Sequence, residues 1–377
     1  SIFIPYFLSN FGVSSFIGCS SLTSITIPNS VTTIGGGAFA GCISLTSITI
    51  PNSVKKIGDA VFSGCSDLTS ITIPNSVTTI GESAFSNCIS LTFVTIPNSV
   101  TEIGDEAFLG CTDITSLIIG NSVTRIGLSA FDGCISLTSI IIGNSVTTIG
   151  GAAFGGCISL VSITIPHSVK EIGMLAFADC ISLTSITIPN SVKKIGDAVF
   201  YGCSSLTSVT IPNSITAIGE DAFSGCISLT SVIIPNSITA ICEGAFESCS
   251  SLTSITIPNS VAIIGKSAFA SCSSLKDVNC LAETVPSTGS YVFNGVKKSS
   301  ATLHVPAASL QDYSTTEPWN GFGQIVAIDE GDGIEHLTSE EEKVAFKSTA
   351  VYDLSGHRVS KPRKGIYVIN GRKTVVK

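Results

Sequence analysis

A pattern of 23 residues recurs along most of this 377-residue chain. One copy, SLTSITIPNSVTTIGGGAFAGC, runs from Ser21 to Cys42, and the next, SLTSITIPNSVKKIGDAVFSGC, runs from Ser44 to Cys65; the copies continue to Cys272. A repeat of about 20 to 29 residues with fixed apolar positions is typical of solenoids, in which each copy forms one coil and stacks on its neighbours. The length alone would allow two or three domains, but the repeat favours one continuous array.

Each copy predicts two short strands and a turn. In the first full copy, apolar and hydroxyl residues alternate over 24–27, which indicates a strand with one buried face. A Pro-Asn pair ends this strand, and a second extended segment spans Val31 to Ile34. The remaining segment 36–42, GGAFAGC, is too short for a stable α-helix, so we expect one turn of α- or 3-10 helix there.

Stacking of the coils places equivalent residues in columns about 4.8 Å apart. One column is phenylalanine throughout, and we expect its rings to form a buried stack in which each ring contributes about 2–3 kcal/mol. Its members are Phe16, Phe39, Phe62, Phe85, Phe108, Phe131, Phe154, Phe177, Phe200, Phe223, Phe246 and Phe269.

A second column consists of cysteine. Each of these cysteines follows the column phenylalanine by three residues, so we expect buried free thiols, which pack as small apolar groups. Disulfide pairing of some members is the alternative; a metal site is disfavoured because no C-x-x-C spacing occurs. The column contains Cys19, Cys42, Cys65, Cys88, Cys111, Cys134, Cys157, Cys180, Cys203, Cys226, Cys249 and Cys272, while Cys242 and Cys280 lie outside it.

The motif L-x-x-I-x-I-P-x-x-V-x-x-I-G-x-x-A-F-x-x-C resembles the BspA-type leucine-rich repeat of bacterial surface proteins. The resemblance covers about residues 1–275 and implies a leucine-rich repeat solenoid of about 12 coils. Members of this family are generally cell-surface or secreted proteins that bind host proteins or other cells. The resemblance therefore implies an extracellular binding or adhesion protein, and it names no ligand.

The two ends of the chain differ from the repeat. The first residues align with the repeat columns, so we expect the sequence to begin inside the array, with any export signal already removed. We expect residues 276–328 to cap the array, with Trp319, Phe322 and Ile325 closing its core, and the acidic segment 329–350 to be a linker.

Residues 351–377 predict three short strands, with an Asn-Gly hairpin turn at 370–371. The segments VYDLSGHRV and KGIYVINGRK resemble the C-terminal sorting module of the type IX secretion route. This resemblance implies outer-membrane passage and attachment to the bacterial surface through the module. The alternatives are a small β-module without a sorting role, or a basic tail that contacts anionic glycans or lipids.

Composition and motifs argue against several functions. The net charge of −8 and the pI near 5.0 disfavour nucleic acid as a partner, and no apolar run is long enough for a membrane-spanning helix. No motif pairs any of the four histidines with a matching Cys, Ser or acid, and Gly-rich turns such as IGGGAF lack the Lys-Ser/Thr of a phosphate loop. We expect the turn acids to lie at the starts of short helical turns. The sequence thus predicts no catalytic, cofactor or metal site.

The exposed positions of the first strand form the candidate binding surface, because leucine-rich arrays usually bind through this sheet. Most copies have Ser and Thr there, but Phe93, Ile118 and Ile141 depart from the pattern in three consecutive coils. We expect these three, with Thr95 and Thr164, to contact a host protein or a glycan. The alternative is that these three residues arose by neutral drift and have no function, since Ile and Phe suit strands in any case. Rival functions are a structural spacer without a ligand, an ordered-water surface and an enzyme, of which the spacer is the main one.

Overall fold

The computed structural model describes residues 4–328, 351–352, 358–359, 365–369 and 372–376. The chain divides into two compact units, Ser1–Ala327 and Ile328–Lys377. No helix in these described residues is long and apolar enough to cross a lipid bilayer.

The larger unit is a parallel β-solenoid in which each coil has three sides. The first side carries strands of three to five residues, and the described residues contain fourteen of them: Ser24–Thr26, Ser47–Thr49, Ser70–Thr72, Phe93–Ile96, Ser116–Ile119, Ser139–Ile141, Ser162–Thr164, Ser185–Thr187, Ser208–Thr210, Ser231–Ile233, Ser254–Ile257, Asp277–Cys280, Thr302–Pro306 and Gln324–Ile328. This architecture confirms the predicted leucine-rich repeat solenoid with a 23-residue period.

The second side carries two-residue strands, shorter than the predicted Val31–Ile34 segment. The described residues contain thirteen: Asn10–Phe11, Thr33–Ile34, Lys56–Ile57, Thr79–Ile80, Glu102–Ile103, Arg125–Ile126, Thr148–Ile149, Glu171–Ile172, Lys194–Ile195, Ala217–Ile218, Ala240–Ile241, Ile263–Ile264 and Ser287–Thr288. Nine of them form one continuous sheet and the last four form another. The ladder is interrupted after Ile195, which is also the one isoleucine of its column that is only partly buried.

Strands of the same side pair in parallel with a register of one repeat. Ile48, for example, lies opposite Ile25 on one neighbour and Ile71 on the other. In most first-side strands, the side chain of the central residue points into the core and the side chains of the two flanking residues point outward. Equivalent side chains of successive coils therefore lie above one another. Parallel pairing with a shift of one repeat keeps each residue on the same face of the sheet as its equivalent.

The third side, here called the turn side, differs from the predicted helical turn. Its residues alternate: Gly37, Phe39 and Gly41 donate their N–H groups to carbonyls of the next coil at 2.8–2.9 Å, while the residues between them bond within the coil. Gly37 (φ 64°) and Gly41 (φ 71°) adopt left-handed backbone conformations, which interrupt a helix. The turn side is thus a third ladder between coils rather than a row of helices.

The phenylalanine column forms the predicted stack through the core. Successive rings from Phe16 to Phe269 lie 5.0–5.7 Å apart with interplanar angles of 17° or less. The stack continues one coil further than expected, to Phe293, because a 24-residue copy follows the last regular one. The coil geometry therefore extends past the expected array boundary at residue 275.

The expected capping residues close the C-terminal end of this stack. Trp319 is buried and meets Phe293 edge-on at 5.3 Å, and Phe322 packs on the same ring at 5.2 Å. Ile325 is partly buried against the core. The cap also contains the α-helix Leu310–Thr315 and the 3-10 helices Lys298–Ser300, Ala307–Ser309 and Trp319–Gly321.

In the C-terminal unit, the structure describes four short strands in one antiparallel sheet: Val351–Tyr352, Arg358–Val359, Gly365–Ile369 and Arg372–Val376. The sequence predicted three strands and missed Arg358–Val359. Pairing of Ile369 with Arg372 agrees with a hairpin at the Asn-Gly pair. The expected linker at 329–350 lies outside the described residues.

Phe154→Ala should destabilise the array by about 3–5 kcal/mol, because it removes one fully buried ring and leaves a cavity between two others. Urea unfolding followed by circular dichroism measures the loss. Phe93→Ala is the matched control: its ring is half exposed, so we expect a change within about 0.5 kcal/mol. Equal stability of Phe154→Ala and the unmutated protein would contradict the buried stack.

Candidate functional site

The structure brings Phe93, Ile118 and Ile141 together on the outer surface of the first side. Ile118 lies directly opposite Ile141 in the pairing register, and Phe93, opposite Ser116, lies diagonal to Ile118. The three side chains are 51%, 38% and 63% exposed, so they form an apolar patch that faces solvent. We refer to these three residues as the apolar patch.

The apolar patch occupies a sheet of its own. The strands Phe93–Ile96, Ser116–Ile119 and Ser139–Ile141 form a three-stranded sheet, and the first-side strands before and after it belong to other sheets. Thr95 lies in this sheet opposite Ile118, as expected. Thr164 is exposed on the same side, but it lies in the following four-stranded sheet and does not pair with the patch.

The backbone of these coils also departs from the rest of the array. Gly120 and Gly143 stand where most copies have proline, and a Cβ atom on either would lie within 2.6 Å of a carbonyl oxygen of the preceding coil. The asparagines that follow the strands in these coils form a ladder of hydrogen bonds. The side-chain oxygen of Asn98 accepts the N–H of Asn121 at 2.7 Å, and that of Asn121 accepts the N–H of Asn144 at 3.1 Å. In the coils of Ile118 and Ile141, the outward residue and the turn residue after the strand therefore both differ from the common pattern.

Sequence reasoning missed a second set of exposed apolar residues. Six copies have isoleucine directly after the column cysteine, and each of these side chains is exposed: Ile43, Ile89, Ile135, Ile158, Ile181 and Ile227. The recurring letters CIS were the available signal. Ile89 lies in the same coil as Phe93, four residues before it, so it extends the apolar surface toward the turn that precedes the strand.

Eleven of the twelve column cysteines are buried and all twelve are free thiols, which confirms the predicted packing role. The thiol of Cys65 donates a hydrogen bond to the carbonyl oxygen of Phe39 in the preceding coil, at 3.2 Å. Eleven column cysteines within residues 4–328 make the equivalent bond, at 3.1–3.5 Å. Cys19, in the first coil, and Cys242, which replaces a column glycine, are only partly buried.

Burial also makes these thiols unreactive. It raises the pKa of Cys65, Cys111 and Cys180 to about 12, because the apolar core disfavours the thiolate. The thiolate is the nucleophile and the metal ligand, so the column can take part in neither chemistry near neutral pH. Within the described residues, no group of three or more His, Cys, Asp or Glu side chains is arranged to hold a metal ion.

Titration of the native protein with a thiol reagent at pH 8 should label Cys19 first and Cys242 more slowly, because burial and nearby carboxylates raise the pKa of the Cys242 thiol. The other twelve should react only after unfolding, because they are buried and protonated. Absorbance of the released chromophore gives both counts. Rapid native labelling of most of the fourteen thiols would contradict the buried column.

The array should lose stability as the pH rises above about 9. Below that value the thiols are protonated in both folded and unfolded chains; above it the unfolded chain loses protons that the folded chain keeps up to about pH 12. Each buried thiol then costs about 1.4 kcal/mol per pH unit. Urea unfolding between pH 8 and pH 11 measures the slope. Cys65→Ala should flatten it by one thiol's share, and an unchanged slope would contradict the raised pKa.

The turn acids lie elsewhere than expected. Asp59, Asp105 and Asp197 do not start helical turns; each accepts the N–H of the equivalent residue in the next coil, at 2.8–3.1 Å. These carboxylates hydrogen-bond to the next coil because the backbone of the turn side also bonds from coil to coil. His167 is exposed in a turn, and His304 lies 3.6 Å from Asp277 in the cap.

Comparison with known proteins identifies the fold family. The family model described as "BspA type Leucine rich repeat region (6 copies)" matches residues 1–115, 101–223 and 193–315. The chain belongs to the BspA-type leucine-rich repeat family. This agrees with the solenoid geometry and with the motif on which the expectation was based. No curated protein matches the sequence.

Two of three similar solved structures share the fold with a TM-score of 0.50 or more. A leucine-rich repeat protein from Bacteroides ovatus is 33% identical, with a TM-score of 0.69 over 85% of this chain and 88% of that one. A leucine rich cell surface protein from Faecalibacterium prausnitzii is 34% identical, with a TM-score of 0.48 over 72% and 83% of the two chains. The pneumococcal vaccine antigen PcpA is 19% identical, with a TM-score of 0.50 over 84% and 92%.

Proposed function

We propose that this protein is a non-enzymatic surface or secreted binding protein, and that the apolar patch is where it contacts a protein partner. The observation that carries the proposal is the exposure of Phe93, Ile118 and Ile141 on adjacent strands. A cluster of exposed apolar side chains often marks a site of protein–protein contact.

A protein partner suits the patch better than a glycan. Sugars offer many hydroxyl groups, and the regular coils already present rows of Ser and Thr that could bind them. The patch replaces three such hydroxyl positions with apolar side chains, which favours a partner that loses apolar surface from water on binding. Family membership supports the location, since BspA-type proteins are generally exported to the cell surface or secreted.

The C-terminal unit would attach the protein to the cell surface. Its sequence resembles a type IX sorting module, and its four described strands form an antiparallel sheet. The alternative function is a spacer that carries another domain away from the surface and has no ligand. The spacer would not need apolar residues at three outward positions in consecutive coils.

Restoring the repeat residues at the patch should abolish partner binding. In the triple variant Phe93→Ser, Ile118→Thr, Ile141→Thr each new residue is one that other coils carry at the same position, so the fold should persist. Binding to immobilised host matrix proteins and to a glycan array, read by biolayer interferometry, should weaken at least tenfold, about 1.4 kcal/mol. Ile233→Thr, at an isolated exposed isoleucine, is the control and should bind normally.

Two results would count against the proposal. Unchanged binding by the triple variant would remove the patch from the interface. If the unmutated protein binds none of the matrix proteins or glycans, the spacer function would be favoured.

A further inference from the structure

Charge is almost absent from the surface that carries the apolar patch. We define the strand face as the ten-residue segments that follow the column cysteines from Cys19 to Cys249 and end at the turn asparagine or its equivalent, from 20–29 to 250–259. These eleven segments contain two residues among Asp, Glu, Lys and Arg, namely Asp67 and Asp113. The other charged residues of these eleven coils lie on the second side and the turn side. The next charged residues on the first side are Lys276 and Asp277, six coils beyond the strand Ser139–Ile141.

Both acids flank the coil that begins the patch. Asp67 lies one coil before that of Phe93, and Asp113 lies one coil after it, in the coil of Ile118. Their N–H groups donate to the carbonyl oxygens of Ile43 and Ile89, at 3.0 and 3.1 Å, which fixes their backbones in equivalent positions. At about 4.8 Å per coil, the two positions are about 10 Å apart, with exposed Ile89 in the coil between them.

Within residues 4–328, neither carboxylate forms an ion pair. Both residues are exposed, and within residues 4–328 the ion pairs join other acids to Arg125, Lys194, Lys266 and His304. The strand face thus combines an apolar centre with two uncompensated negative charges at one edge. The eleven segments of the strand face carry no other Asp, Glu, Lys or Arg, so these two groups decide which charged partners can approach the patch.

We infer that the partner of the apolar patch is a protein segment that carries an apolar side chain and at least one Lys or Arg within about 10 Å of it, a reach set by the coil spacing. The cation would pair with Asp67 or Asp113 while the apolar side chain rests on Phe93 and Ile118. The same acids repel sulfated or otherwise anionic glycans, since like charges at an interface are unfavourable. This inference rests on the proposed function, because it assigns the partner of that same patch.

Selection from a random peptide display library tests the inference without knowledge of the natural partner. The library is first depleted on the patch variant Phe93→Ser, Ile118→Thr, Ile141→Thr, so that the remaining binders require the patch. Selection on the unmutated protein should then enrich peptides that contain an apolar residue and Lys or Arg. Their affinity for Asp67→Asn, Asp113→Asn should fall at least fivefold, and it should fall with added salt.

Glu82→Gln, Glu220→Gln is the matched control, because it removes two exposed carboxylates from the turn side and leaves the strand face unchanged. Selected peptides should bind it as well as they bind the unmutated protein. The inference would be overturned if the patch-dependent peptides lacked Lys and Arg, or if they bound the Asp67→Asn, Asp113→Asn variant as tightly as the unmutated protein. Either result would leave the proposed function intact. Absence of any patch-dependent peptide would overturn both.

Discussion

The whole array depends on contact between one coil and the next. A single coil has three short sides and no interior of its own, so its apolar residues leave water only when another coil covers them. The stacked phenylalanine rings, the two strand ladders and the turn-side bonds all connect a residue with its equivalent in the neighbouring coil. Inward positions are therefore nearly invariant along the chain, since a change in one coil alters its contacts with two others.

The cysteine column shows how narrow this constraint is. The carbonyl oxygen of Phe39 already accepts the N–H of Cys42 within its own coil, and the thiol of Cys65 approaches it from the next coil. The site calls for a small side chain that packs as an apolar group and carries one weak donor. Alanine lacks the donor, and serine brings a hydroxyl with a higher desolvation cost. A feature that suggests redox chemistry is explained by packing and one hydrogen bond per coil.

Local pattern was enough to predict what each residue contributes within a coil. The alternation over 24–27 predicted the first-side strand, and the spacing of phenylalanine and cysteine predicted their buried columns. It failed where the deciding bonds run between coils. Segment 36–42 was expected to be helical, but alternate N–H groups find carbonyls in the next coil, and Asp59 binds the next coil rather than its own. No single copy contains the information for these bonds, because the acceptor lies 22 or 23 residues away.

The candidate site follows from the same division between inward and outward residues. An outward side chain is released from the stacking constraint, so its variation alone is weak evidence of function, and the sequence left drift open. Two of the three outward residues, Ile118 and Ile141, lie in coils in which glycine replaces the turn proline, and an asparagine ladder links three successive turns there. These backbone changes belong to the constrained part of the coil. Drift in outward residues alone does not explain the two glycines, whereas the proposed binding surface would account for both kinds of change in the coils of Ile118 and Ile141; the coil of Phe93 keeps Pro97.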